Sequence, residues 1–149
     1  MNMIRLITRS PEETAASAER LAKKLSGGTI VALFGGLGMG KTTFTAGLAK
    51  GLGIEDDVSS PTFALVNEYH GEKSLYHFDM YRIDSWEDLY ATGFFDYYDA
   101  GEIISCEWSE NIENALPENT IRVTISRGET DEERLITVEG CGKYENFEY

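Results

Sequence analysis

Thr29-Ile30-Val31-Ala32-Leu33-Phe34-Gly35-Gly36-Leu37-Gly38-Met39-Gly40-Lys41-Thr42-Thr43 is the stretch on which the fold turns. Thr29 to Phe34 is continuously apolar after its first residue, as expected of a strand buried on both faces of a sheet. Residues 35–42 then spell G-x-x-x-x-G-K-[ST]. Glycines there let the backbone wrap closely round phosphates with its N–H groups turned inward, in torsions that a Cβ resists. Thr42 to Leu52 reads as a helix closed by Gly53, and its positive dipole end faces the same anions. Strand, loop and helix in that order are the context that makes the pattern a phosphate cradle. Gly35, Gly38, Met39 and Gly40 line it, Met39 as a tolerated side chain in its variable part. Lys41 supplies a mobile point charge for the β- and γ-phosphates, the Thr42 hydroxyl suits Mg²⁺, and Thr43 is placed to donate to an α-phosphate oxygen.

Upstream, Ile4 to Thr8 alternates like a short strand. Ser10-Pro11-Glu12-Glu13 starts a helix: Ser10 caps, Pro11 suits the first position, and Glu13 completes a capping box. Ala15, Ala18, Leu21, Ala22 and Leu25 follow at helical spacing until Gly27-Gly28. Downstream, Phe63 to Tyr69 and Ser74 to Phe78 read as neighbouring strands about a His70-Gly71 turn, and Ser85 opens a short helix. Ile103 to Cys106 is a compact core strand. Thr120 to Ser126 and Arg134 to Glu139 pair about Gly128. The fold class is therefore α/β: one P-loop NTPase-like, three-layer domain over residues 1–149, with a mixed, centrally parallel sheet and a frayed tail from about residue 140.

The 149 residues suit a single core, and no run approaches the roughly eighteen apolar residues of a membrane span. No signal-peptide pattern opens the chain, and Cys106 and Cys141 lack disulfide-framework or metal-ligand spacing, so a reducing cytoplasm is expected. A net charge of −13 opposes tight, direct binding to nucleic acid, which needs Lys and Arg to displace counterions.

A hydrolysing site also needs metal support and a group that positions water. Asp79 closes Leu75-Tyr76-His77-Phe78-Asp79 and Glu107 closes Ile103-Ile104-Ser105-Cys106-Glu107, both at strand ends where ligands of open α/β sheets lie. Either carboxylate alone also reads as a strand cap or a partner of Arg82. Ser59-Ser60-Pro61-Thr62 lies about twenty residues past the cradle, a distance suited to a loop sensing the γ-phosphate through Thr62, or simply opening the next strand. His77 reads as a satisfied core or edge residue rather than a base. Trp86, Trp108 and Phe94-Phe95-Asp96-Tyr97-Tyr98 read as core, with an acidic and aromatic docking face as the alternative.

Gly-Gly-Leu-Gly-Met-Gly-Lys-Thr-Thr (35–43), Ser-Pro-Thr-Phe (60–63), His-Phe-Asp-Met-Tyr-Arg (77–82) and Glu-Trp (107–108) occur in an order that resembles the TsaE family of bacterial tRNA threonylcarbamoyladenosine modification. The resemblance runs from about Ser10 to Val138. It implies a cytoplasmic ATPase that binds ATP or ADP with Mg²⁺, turns over slowly alone, and resets the TsaB–TsaD pair between turnovers, meeting tRNA only through that pair. By position it implies that Lys41 and Thr42 hold phosphate and metal, that Thr62 belongs to a switch-like loop, and that Asp79 is the Walker-B-type aspartate. Glu107 would be the metal-site or water-activating glutamate, Trp108 the ring beside the nucleotide, and Ser10 and Arg134 neighbours of the adenine.

Three other readings remain open on the residues. A small-molecule kinase would want an Arg-rich lid, whereas the arginines here are scattered. A regulatory GTPase would carry Asn-Lys-x-Asp, which is absent. A nucleotide-gated binding module would need the cradle but not the hydrolysis.

Overall fold

The computed structural model describes residues 2–36, 38–59 and 66–140. In chain order its elements are β1 (Asn2–Thr8), α1 (Pro11–Ala22), β2 (Ile30–Phe34), α2 (Lys41–Gly51), β3 (Val66–Tyr69), β4 (Leu75–Asp79), α3 (Trp86–Ala91), α4 (Phe94–Asp99), β5 (Ile103–Glu107), a 3-10 helix (Ser109–Ala115), β6 (Ile121–Arg127) and β7 (Arg134–Gly140). Thr62, the start of the strand expected from Phe63, Leu37 of the cradle, Cys141 and the tail lie outside the described residues.

The described strands form one seven-stranded sheet in the order β1-β7-β6-β2-β5-β4-β3. β2 runs parallel to β5 and β6, and β4 parallel to β5. Antiparallel partners finish both edges: β6–β7–β1 on one side and β4–β3 on the other. The mixed sheet with a parallel centre is thus the expected one. β2 takes the middle because Ile30, Val31, Ala32 and Leu33 are apolar in succession, and all four are buried.

Alternation along the central strands divides the core into two layers. Val31, Leu33, Ile103 and Val123 face α1 and α2, where they meet Leu21, Phe44 and Leu48. Ile30, Ile104 and Cys106 face the other way and meet Leu89 of α3, Phe94 of α4 and Ile112 of the 3-10 helix. Burial pushes the Cys106 thiol far above its usual range, so it is packing, not chemistry.

Two helix starts follow the expected chemistry with one difference. Ser10 Oγ accepts from Glu13 N at 3.1 Å and Ser85 Oγ from Asp88 N at 3.1 Å. The Glu13 carboxylate, however, accepts from Arg9 N at 2.9 Å, one residue before the cap, rather than closing the box on Ser10. α4 has no counterpart in the sequence reading; it starts at Gly93, whose φ of 83° only glycine adopts without strain, and Phe94 is its one buried anchor. Trp86 also departs from expectation: it is 56% exposed and not core. No described helix is long and apolar enough to cross a membrane.

Candidate functional site

Because β2, β5 and β4 are parallel, their carboxyl ends lie along one edge of the sheet, and each delivers a functional segment there. β2 leads into the glycine loop, β4 ends at Asp79 and β5 ends at Glu107. Asp79 and Glu107 are register partners, and Met80 N donates to Glu107 O at 3.0 Å, tying the two strand ends together. A cavity of about 600 Å³ opens there, lined by Gly38–Thr43 together with Asp79, Tyr81, Glu107 and Trp108.

The loop can take its shape only with glycine at certain points. A Cβ on Gly35, at φ 144°, would lie 2.5 Å from Ile125 O of β6. Gly40, at φ 106°, turns the chain into α2, whose first N–H groups therefore face the cavity without a side-chain cap. Lys41 begins that helix and is only 5% exposed. Its ammonium donates to Gly35 O at 2.6 Å and sits 4.1 Å from the centre of the Trp108 ring. Among the described residues no carboxylate lies within ion-pair distance of it. A buried charge so placed lacks a counter-ion among the described residues, and the cavity in front of it is where an anion would supply one.

Opposite the lysine, Thr42 Oγ1 donates to both Glu107 carboxylate oxygens at 3.3 Å. Glu107 is 5% exposed and shares a 2.5 Å hydrogen bond with Nε2 of His77, a residue with no exposure at all. The expected "satisfied" His77 is only half so: its Nδ1 has no partner among the described residues. Half-buried Asp79 accepts from Tyr81 N at 2.9 Å, so the capping alternative holds for one of its oxygens. No pairing with Arg82 is seen among the described residues. Tyr81 and Trp108 stand as an aromatic wall, ring centres 5.0 Å apart.

The donor set suits Mg²⁺. Hard oxygens from a hydroxyl and one or two carboxylates, completed by phosphate and water, are what this small cation takes. No cluster of three or more His, Cys, Asp or Glu among the described residues offers a self-contained metal cage instead.

A second cavity, about 180 Å³, shares Gly38, Met39, Gly40 and Thr43 with the first and adds Ser10, Thr14, Asp131 and Arg134. Ser10 and Arg134, distant in sequence, are thus brought together beside the loop. Arg134 also braces it: Nε donates to Met39 O at 3.1 Å and one terminal nitrogen to Gly38 O at 3.5 Å.

A family model described as "Threonylcarbamoyl adenosine biosynthesis protein TsaE" matches residues 8–136. The chain belongs to the TsaE family. The tRNA threonylcarbamoyladenosine biosynthesis protein TsaE of Bacillus subtilis is 42% identical over 148 residues, covering 97% of this chain and 91% of the relative. That of Treponema pallidum is 39% identical over 135 residues, covering 91% and 99%. Among solved structures, Bacillus subtilis YdiB superposes with a TM-score of 0.77 at 34% identity, covering 95% of this chain and 87% of that one.

Within this TsaE-family site, three participants escaped the sequence reading. His77 backs Glu107, Tyr81 pairs with Trp108, and Glu110 Oε2 accepts from Gly35 N at 3.2 Å. Each contact depends on strand register or on the turn after β5. The one available signal was the nearness of His77 and Tyr81 to Asp79 within a single motif.

Proposed function

We propose that this chain binds ATP with Mg²⁺ in the larger cavity, hydrolyses it slowly alone, and serves tRNA threonylcarbamoyladenosine biosynthesis in the cytoplasm with a TsaB–TsaD pair. The observation that carries the nucleotide claim is the buried Lys41 ammonium, without a carboxylate partner among the described residues, at the glycine-framed start of α2. The pathway claim rests on the relatives, whose names assign them to that biosynthesis.

In this reading the α2 N–H groups and Lys41 grip the β- and γ-phosphates, and Thr43 reaches an α-phosphate oxygen. Thr42 and Glu107 would hold Mg²⁺, which when bound offsets charge on the phosphate oxygens. Asp79, beside Glu107 in register, orients water toward the γ-phosphorus. Attack by that water's oxygen forms the new P–O bond as the bond to the β–γ bridging oxygen breaks, giving ADP and phosphate. Thr62 is assigned to the loop that senses the γ-phosphate. Trp108 packs beside the nucleotide, and Ser10 and Arg134 flank the adenine. The charge of −13 keeps tRNA contact indirect, through the partner pair, and hydrolysis resets that pair between turnovers.

Phosphate release, measured with and without the pair, tests this. Wild type should be slow alone, and Glu107→Gln and Asp79→Asn should fold and bind nucleotide yet lose at least about tenfold in rate. Undiminished hydrolysis in both variants would refute the site.

A further inference from the structure

On the sheet face away from α1 and α2, a groove of about 250 Å³ separates α3 from the 3-10 helix, lined in part by Ile83, Asp84, Trp86, Glu110, Glu113 and Ala115. Trp86 on its wall is 56% exposed, and Tyr90, whose ring centre lies 6.4 Å from that of Trp86, extends the open aromatic rim at 63%. Both are held in place by packing. The Trp86 ring lies nearly parallel to Phe95, at 12°, and Tyr90 meets Phe95 with ring centres 4.6 Å apart. Phe95 in turn rests edge-on against buried Phe94. Exposed, pre-positioned aromatic rings of this kind lose little freedom when covered and are the residues that anchor protein interfaces.

Charge says what covers them. Residues 83–121, which supply the groove's lining, contain ten of the chain's 26 acidic residues and no Lys, Arg or His, with exposed Arg82 adjoining them at Ile83. Arg122 reaches in to meet Glu113 at 3.2 Å, leaving the rest of the field uncompensated by its own segment. At the groove mouth the Asp84 carboxyl is held above its usual range by a hydrogen bond and like-charge repulsion from Asp88. Such a surface repels nucleic-acid phosphates and anionic lipid headgroups, and it attracts ammonium and guanidinium groups, which also sit well over an indole face.

We propose that this groove and its Trp86–Tyr90 rim are the docking surface for a protein partner that presents Lys or Arg side chains among aliphatic ones. The assignment rests on the TsaB–TsaD reading above, which supplies the partner to be tested. The location also joins docking to the cradle. The 3-10 helix follows directly on Trp108, its Glu110 accepts from Gly35 N, and its Asn111 donates to Met80 O at 2.8 Å and Tyr81 O at 3.1 Å.

The test titrates purified chain against the purified TsaB–TsaD pair by calorimetry at several salt concentrations. It compares wild type, Trp86→Ala, the double variant Glu87→Lys/Asp96→Lys, and Glu55→Lys, an exposed reversal beyond α2, as control. Wild type should bind, more weakly as salt rises. Trp86→Ala and the double variant should each lose at least about tenfold in affinity. The control should match wild type, and all four should keep the same melting temperature and nucleotide affinity. Wild-type binding that Trp86→Ala and the double variant, which reverses exposed charges on α3 and α4 beside the groove, both reproduce overturns the docking surface and leaves the pathway reading intact. Absence of wild-type binding overturns both. Sedimentation showing that wild type self-associates without the pair, and that Trp86→Ala does not, makes a second copy the occupant and overturns the proposal.

Discussion

Trp108 is the one non-glycine residue with positive φ among the described positions, at 58°, and the site uses what that conformation gives. The left-handed turn after β5 lifts its ring off the strand and over the Lys41 ammonium. For a residue with a Cβ this costs about 1–2 kcal/mol. Trp108→Ala and Trp108→Gly both delete the ring, so their difference isolates the backbone. The glycine variant should be the more stable by about 1 kcal/mol in urea titration, and both should bind nucleotide more weakly than wild type. His77 is the other residue with a specific task. His77→Leu would strip a partner from the buried Glu107 carboxylate, a loss of about 1–3 kcal/mol. Phosphate release should then fall at least about tenfold with nucleotide affinity preserved, and His77→Gln should recover part of it. Equal rates in His77→Leu and wild type would show that the contact does not position Glu107. The placement of Lys41 and Thr42 at the cavity was legible in the sequence because one contiguous loop sets it. His77 was not, because its role exists only once β4 and β5 are in register.

Between elements, the contact that sets the cradle is the crossing of α1 and α2. A Cβ on Gly47 would lie 2.2 Å from Ala15 O and 2.8 Å from Ala18 Cβ, and one on Gly51 2.6 Å from Ala22 Cβ. Two glycines one turn apart thus let α2 lie directly on the alanine face of α1. Two effects compete in Gly47→Ala. Alanine gains up to about 1 kcal/mol in helix propensity, but overpacking against a backbone carbonyl costs about 1–3 kcal/mol. Packing wins, so the variant should be destabilised in urea titration and weaker in nucleotide binding, because α2 begins at the phosphate loop. A more stable Gly47→Ala would contradict the packing account. The elements themselves were mostly legible: apolar periodicity marked α1, a continuous apolar run marked β2, and Ser10 and Ser85 marked helix starts. α4 was not, since Phe94-Phe95-Asp96-Tyr97-Tyr98 has no single-face periodicity and only its packing on Phe78 and Tyr76 fixes it.

At the scale of the whole molecule, a parallel centre with antiparallel edges places three strand ends, and with them Gly35, Asp79 and Glu107, along one side of the sheet. The early alternation of strands and helices, and the late pair about Gly128, foretold that mixture. The strand order did not follow from it, since after β5 the chain crosses to the other side of β2 to lay down β6, and β1 pairs with β7 at the edge. For an acidic chain of net charge −13, the proposed uptake of an anion requires a local concentration of amides and one buried ammonium. Isothermal titration calorimetry with a non-hydrolysable ATP analogue and Mg²⁺, on wild type and Lys41→Ala, measures that directly. Wild type should take up one nucleotide per chain, and Lys41→Ala should lose about 1.5–3 kcal/mol of binding free energy. No uptake by folded wild type, or equal affinity in the two proteins, would contradict the account.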